Sequence, residues 1–282
     1  MTTNAPAGLR ALLAEPGMIR APGVYDGLGA HLARRAGFRA VYLTGAGAAA
    51  AGYGLPDIGL VTATEMADRA ALVVEASGLP VVADADTGYG NPMHVVRTVR
   101  AYERAGVAAI QLEDQDFPKR CGHLSDKEVI GTDAFVRKLA AALEARENDT
   151  VVIARTDARG PAGLDEAIAR AGRYAAEGAD LIFVEAPRSQ AEIERIATEV
   201  DAPLVFNVVP SGRTPEVPDA DLEGLGFRMA IYPGALLQPA TAAMSAALVA
   251  MGGEDPDIGE GPLGTFRVVG FDDWSELGDR FR

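Results

Sequence analysis

Short apolar runs recur along the chain, and almost every one ends in a polar residue: Arg39 to Thr44, Val81 to Asp86, Ala108 to Asp114, Val151 to Asp157, Leu181 to Glu185, Leu204 to Asn207 and Arg228 to Tyr232. With the run entering Tyr25 and Asp26 they make eight. Each has strand length, and the segments between them, such as Thr62 to Ser77, Pro92 to Ala105, Thr132 to Arg146 and Leu164 to Glu177, have helical spacing of apolar positions. Alternating strands and helices predict an α/β fold on a parallel sheet. Gly37, Gly106 and Gly178 each stand where a helix ends in a left-handed residue just ahead of an apolar strand. They lie about two strand-helix units apart, which favours eight units closed into a (β/α)8 TIM barrel over an open doubly wound sheet.

No Ser-rich or Pro-rich linker divides the chain, so residues 1–282 are expected to form one domain, with about 238–282 as a C-terminal helical extension. From Met229 to Gly253 no charged residue occurs, but Pro233, Gln238 and Pro239 interrupt the stretch. The expectation is a buried strand followed by a buried helix, with no membrane span. Near the end, Phe271, Trp274, Leu277 and Phe281 form an apolar stripe suited to a neighbouring subunit.

Composition narrows the function. Hydrophobic residues at 48% with 23% charged are globular, and a formal charge of -14 disfavours nucleic acid and anionic lipid as partners. A small molecule is the expected partner. One cysteine excludes an intrachain disulfide, and the N-terminal residues lack the apolar core of a signal peptide, so a cytoplasmic location is expected.

In a barrel of this kind the strand C-termini converge on one mouth, so the polar strand ends are candidates as a set. Asp84 and Asp86 are two apart and share a side of their strand, while Glu113 and Glu185 end two others. Carboxylates brought together repel unless a cation bridges them, and oxygen-only ligands suit magnesium first and manganese second. The blander alternative is that individual acids cap helices or pair with barrel arginines. The spacing does not match an EF-hand. Arg155 projects among the acids as an anchor for a substrate carboxylate, or as a structural ion pair. Thr44-Gly45-Ala46-Gly47 offers backbone N–H groups to an anion, but Gly52, Gly54 and Pro56 argue against the long helix that a dinucleotide fingerprint opens. His31 and His94 read as surface or packing residues.

Gln115 to Ile130 is long for a barrel loop, and it contains Lys119-Arg120-Cys121-Gly122-His123. Two cations and an imidazole beside a thiol favour its thiolate, and Gly122 gives the loop freedom to open and close. A zinc site on Cys121 and His123 lacks a second Cys and His pair.

Taken in order, Gly54-Leu55-Pro56-Asp57, Asp84-Ala85-Asp86-Thr87-Gly88-Tyr89-Gly90, Glu113-Asp114-Gln115, Lys119 to His123, Ala154-Arg155-Thr156-Asp157 and Glu185-Ala186 resemble the isocitrate lyase and phosphoenolpyruvate mutase superfamily. The resemblance runs from about Val24 to Pro233. Size and the short loop are closer to methylisocitrate lyases, 2,3-dimethylmalate lyases and carboxyphosphonoenolpyruvate phosphonomutases than to the longer isocitrate lyases. The resemblance implies a magnesium-dependent barrel, usually a homotetramer with the last barrel helix swapped between paired subunits. It implies that Asp57, Asp84, Asp86 and Glu113 hold the metal directly or through water. Thr44, Gly45 and Ala46 would cradle a substrate carboxylate, and Tyr42, Arg120, Gly122 and Asn207 would join them around the substrate. Cys121 would be the catalytic acid, acting with Lys119, His123, Arg155 and Glu185. The implied reaction is cleavage of a 2-hydroxy di- or tricarboxylate to a 2-oxo acid such as pyruvate. A phosphonomutase, an oxaloacetate decarboxylase or hydrolase, and a non-catalytic carboxylate-binding barrel remain as alternatives. After the seventh apolar run, relatives commonly read N-x-V-E-G-G-K-T-P where this chain has Asn207-Val208-Val209-Pro210-Ser211-Gly212-Arg213-Thr214-Pro215. Pro210 removes an acid and Ser211 adds bulk, which leaves the group distal to the cleaved bond open.

Overall fold

The computed structural model of the protein describes residues 5–122 and 127–281. Strands β1 (Ile19–Val24), β2 (Val41–Leu43), β3 (Val81–Asp84), β4 (Ala109–Glu113), β5 (Val151–Thr156), β6 (Leu181–Val184), β7 (Leu204–Asn207) and β8 (Met229–Tyr232) pair in parallel in sequence order. β1 also pairs with β8, through Ile19 against Met229 to Pro22 against Tyr232, so the sheet closes into the expected barrel.

Before the first strand, α1 (Ala5–Ala14) places Leu9 among Ile19, Ala40 and Ala108 at the strand beginnings, closing the lower end. The strands are covered outside by α2 (Gly27–Arg35), a short α3 (Gly45–Gly47) running into a π-helical turn at Ala48–Tyr53, and α4 (Ala63–Ser77). The cover continues with α5 (Pro92–Ala105), α6 (Thr132–Ala145), α7 (Leu164–Glu177), α8 (Gln190–Glu199) and α9 (Asp219–Gly224). Sequence sets the ends of these helices locally. Thr62 and Glu65 form a reciprocal capping box at the start of α4, and Gly37, Gly106 and Gly178 take φ of +85°, +85° and +111° after α2, α5 and α7.

Alternation along the strands separates two cores. Tyr42, Val82, Ala109, Val151, Ile153, Leu181, Phe183, Val205, Met229 and Ile231 fill the barrel interior, whereas Val41, Leu43, Val81, Ala83, Ile110, Leu112, Val152, Ala154 and Ile182 meet the helices. Continuing the inward set by two residues reaches Thr44, Asp84, Arg155, Glu185 and Asn207, and on β4 two steps, through Gln111, reach Glu113, all at the C-terminal mouth.

The extension comprises α10 (Leu237–Ala250), α11 (Gly261–Val268) and α12 (Phe271–Asp279). Within a single chain the expected burial of α10 is not seen. The strand over Met229 is buried as expected, but α10 buries only Leu237 and exposes Met244 and Leu248 by more than half. Lack of charge marked an apolar surface without showing what covers it. α12 buries none of its residues, so the Phe271 to Phe281 stripe is not spent on its own barrel. No helix among the described residues is long and apolar enough to cross a membrane.

Candidate active site

One pocket at the mouth gathers residues from six strand ends: Tyr42, Thr44, Asp84, Glu113, Arg155, Glu185 and Asn207, together with Ala46 and Asp57. The loop after β4 adds Lys119, Arg120, Cys121 and Gly122. His123 lies outside the described residues. The opposite wall is apolar, with Val209, Ile231, Pro233, Leu237, Pro262 and Phe266, relieved by Gln238 and Thr265. The extension therefore supplies part of the pocket, which no motif in the barrel strands foreshadows. Pro210 and Ser211 are exposed and outside its lining, while the preceding residue Val209 lines it.

Arg155 organises the charge. Its Nε donates to Asp157 Oδ2 at 2.8 Å and its Nη2 to Asp157 Oδ1 at 3.0 Å, while Glu113 and Glu185 carboxylates lie 3.3 and 3.5 Å away. The guanidinium also sits 5.1 Å above the Phe183 ring. Burial alone would lower its pKa, yet Asp157 and Glu113 raise it, so the cation is fixed. Asn207 Nδ2 donates to Glu185 Oε2 at 3.1 Å. Tyr42, packed beside Asp84, accepts from Gln111 Nε2 at 3.1 Å, and burial followed by the Asp84 charge keeps its phenol neutral.

The four acids are buried together, but with a cation of the chain's own among them. Lys119 Nζ is bound to Asp57 Oδ1 and lies 2.7 Å from Asp86 Oδ1, as an ion pair that is not aligned as a hydrogen bond. The Lys119 ammonium, expected beside the thiol, is engaged by carboxylates while its side chain still lines the pocket with Cys121. Burial pushes Asp86 up to about 7 with Lys119 opposing, and burial raises Glu113 well above the carboxylate range with Arg155 opposing. Asp86 adopts φ of +46°, a left-handed conformation that Asp tolerates better than most residues. Among the described residues no three of these acids stand as a metal ion would need them. In kind the set fits a hard divalent cation, being oxygen-only and having Glu113 Oε1 buried without a hydrogen-bond partner.

Gly45, expected beside Thr44 and Ala46 in a carboxylate cradle, lies against Asp84. Its N–H donates to Asp84 Oδ2 at 3.3 Å and the Gly47 N–H donates to Thr44 Oγ1, so Thr44 and Ala46 face the pocket while Gly45 positions an acid. A Cβ on Gly45 would fall 2.7 Å from that Asp84 oxygen. Sequence reasoning missed Lys127, whose Nζ donates to Asp157 Oδ1 and to the Gly122 carbonyl, both at 2.6 Å. A lysine at the far end of a loop carries no signal of that contact.

The phosphoenolpyruvate phosphomutase family model matches residues 9–251. The 2,3-dimethylmalate lyase of Eubacterium barkeri is 47% identical over 257 residues, covering 91% of this chain and 89% of that protein. A probable 2-methylisocitrate lyase of Corynebacterium glutamicum is 48% identical over 247 residues, covering 87% and 80%. Among solved structures, oxaloacetate acetylhydrolase in complex with 3,3-difluorooxalacetate superposes with a TM-score of 0.86 at 38% identity, over 98% of this chain and 96% of that one. Barrel, mouth and relatives agree that the chain belongs to the phosphoenolpyruvate phosphomutase family, among enzymes of the isocitrate lyase superfamily.

Proposed function

We propose that the protein is a magnesium-dependent carbon–carbon bond lyase that cleaves an alkyl-substituted malate to a 2-oxo acid such as pyruvate and a carboxylic acid. The observation that carries this reading is a single pocket with Cys121, Arg155, Asp57, Asp84, Glu113 and Glu185 on one side and an apolar wall on the other, Asp86 lying just behind Lys119. Arg155 holds the carboxylate of the part that becomes the 2-oxo acid, and Thr44 with Ala46 borders it. Magnesium, with manganese as a substitute, would be held by Asp57, Asp84, Asp86 and Glu113 directly or through water and would supply charge that favours loss of the substrate's hydroxyl proton, which the Glu185 carboxylate at the same mouth takes up. The carbon–carbon bond then breaks, its electron pair passes to the departing carboxylic acid as an enediolate, and the Cys121 Sγ delivers a proton to carbon. Tyr42, held neutral, retains a proton for an oxygen in the pocket.

The apolar wall selects the substituent. Burying a methyl against Leu237 and Phe266 is worth roughly 0.8 kcal/mol, whereas an unpaired carboxylate placed there costs several. An alkylmalate is thus favoured over the tricarboxylate methylisocitrate. A homotetramer with α10 exchanged between subunits, in the cytoplasm, completes the proposal; the exposed α10 and the lack of a second cysteine support it.

The test is a panel of 2,3-dimethylmalate, methylisocitrate, oxaloacetate and a phosphonopyruvate, assayed with magnesium and after chelation, for the parent and Cys121→Ser. Dimethylmalate should give the highest kcat/KM, chelation should abolish turnover, and Cys121→Ser should lose about 10²- to 10⁴-fold in kcat. Oxalate and acetate from oxaloacetate as the dominant products would establish the hydrolase reading instead. Undiminished activity without metal would overturn the mechanism.

A further inference from the structure

Asp157, just past the end of β5, is wholly buried and accepts from two nitrogens of the Arg155 guanidinium. Yet a second buried cation, Lys127, is brought to the same carboxylate, with its side chain only 3% exposed. Arg155 is shared with Glu113 and Glu185, so Lys127 supplies part of the charge this acid cluster needs, at the desolvation cost of another buried ammonium. Beyond charge, the lysine makes a second bond, to the carbonyl of Gly122, the residue after Cys121.

The surroundings fix this bridge from both ends. The Asp157 backbone N–H donates to Asp114 Oδ1 at 2.8 Å, and Asp114 Oδ2 in turn accepts from Thr156 and Tyr174 at 2.8 Å and from Arg170 at 3.1 Å. At the other end Gly122 is pressed into the pocket, where a Cβ would lie 2.7 Å from Glu185 Cδ. Asp157 therefore holds two things at once: the guanidinium that grips the substrate and the lysine that grips the main chain beside the thiol.

We propose that Lys127 is a positioning residue that sets the Cys121 thiol in register with the substrate held by Arg155, with Asp157 as their common anchor. This rests on the lyase reading in its kinetic consequence, though not in its geometry. A proton donor displaced by about 1 Å costs on the order of 10²-fold in rate. The enediolate then takes its proton from solvent, without facial preference.

Three readouts on Lys127→Met and Lys127→Arg test this. Alkylation by iodoacetamide reports Cys121 alone, because the chain has one cysteine, and needs no substrate; Lys127→Met should change its rate by about tenfold or more. With dimethylmalate, kcat should fall about 10²-fold with KM within about threefold. In D₂O, the parent should place deuterium on one face of the carboxylic acid product, and Lys127→Met should scramble it. Lys127→Arg, which keeps charge and donors, should recover most of each property. If Lys127→Met does not fold, the same readouts on Lys127→Gln decide. Parental alkylation kinetics overturn the proposal even if the parent cleaves nothing, and that inactivity separately defeats the lyase reading. A slowed but still stereospecific enzyme would leave Lys127 a structural ion-pair partner only and also overturn it.

Discussion

Asp86 shows how much of this site depends on residues far apart in sequence. Its place two residues after Asp84 is visible in the motif, but its counter-charge comes from Lys119 on another loop, and its buried state depends on the whole mouth. Facing Asp57, Asp84 and Lys119, the carboxyl is raised from near 4 to about 7, with burial as the main cause. The native protein thus retains a proton between about pH 4 and 7 that the unfolded chain has released, and this group's contribution to stability is lost as pH rises through that window. A divalent cation competes with the same proton. Magnesium should accordingly raise the thermal midpoint of the protein more at pH 8 than at pH 6, as scanning calorimetry can measure. Equal shifts at both pH values would show that Asp86 does not gate metal binding. The convergence of strand ends on one mouth made Asp84, Glu113, Arg155, Glu185 and Asn207 legible as one set. The ammonium among the acids and the second bond of Lys127 were not legible, because long flexible side chains choose partners by three-dimensional reach.

At the level of elements, local chemistry was readable wherever it repeats. A helix ending in glycine ahead of an apolar strand occurs at Gly37, Gly106 and Gly178, and that repetition predicted closure before any pairing was seen. How the ring is sealed was less visible, since β1 carries Pro22 and Gly23 and barely reads as a strand. The structure explains the glycine: a Cβ there would lie 2.6 and 2.7 Å from the Cα and carbonyl carbon of Pro233, the residue following β8. Backbone cannot yield as a flexible side chain does. Gly23→Ala should therefore destabilise the fold by about 1–3 kcal/mol, the range for overpacking, read as a lower urea midpoint at unchanged slope. Because Pro233 lines the pocket, kcat/KM for an alkylmalate should fall as well. An unchanged midpoint would mean that β1 and β8 can separate at no cost.

The whole molecule leaves one element unaccounted for within a single chain. α10 follows β8 and, in a barrel of eight units, its own place is beside α2, where Leu28 and Leu32 are exposed by 70% and 52%. α10 is apolar around most of its circumference, and a helix of that kind is stable in water only when covered. Exposed Met244, Leu248, Val249 and Met251 on one side, and an exposed leucine pair on the other, make complementary surfaces on the same chain. Two copies related by a twofold axis can each cover the other's helix, the self-complementary arrangement that closes without producing a filament. The proposed tetramer would pair two such dimers, and the exposed stripe of Trp274 and Phe281 offers surface for that contact. Light scattering coupled to size exclusion at micromolar concentration should return four chains per particle for the parent. Met244→Glu combined with Leu248→Glu should reduce the particle size, because each would bury an unpaired carboxylate in an apolar contact. It should also lower turnover, since Leu237 at the start of α10 forms part of the pocket wall. A parent protein that runs as a monomer at that concentration would refute the exchange of α10 and leave its exposed face without a partner.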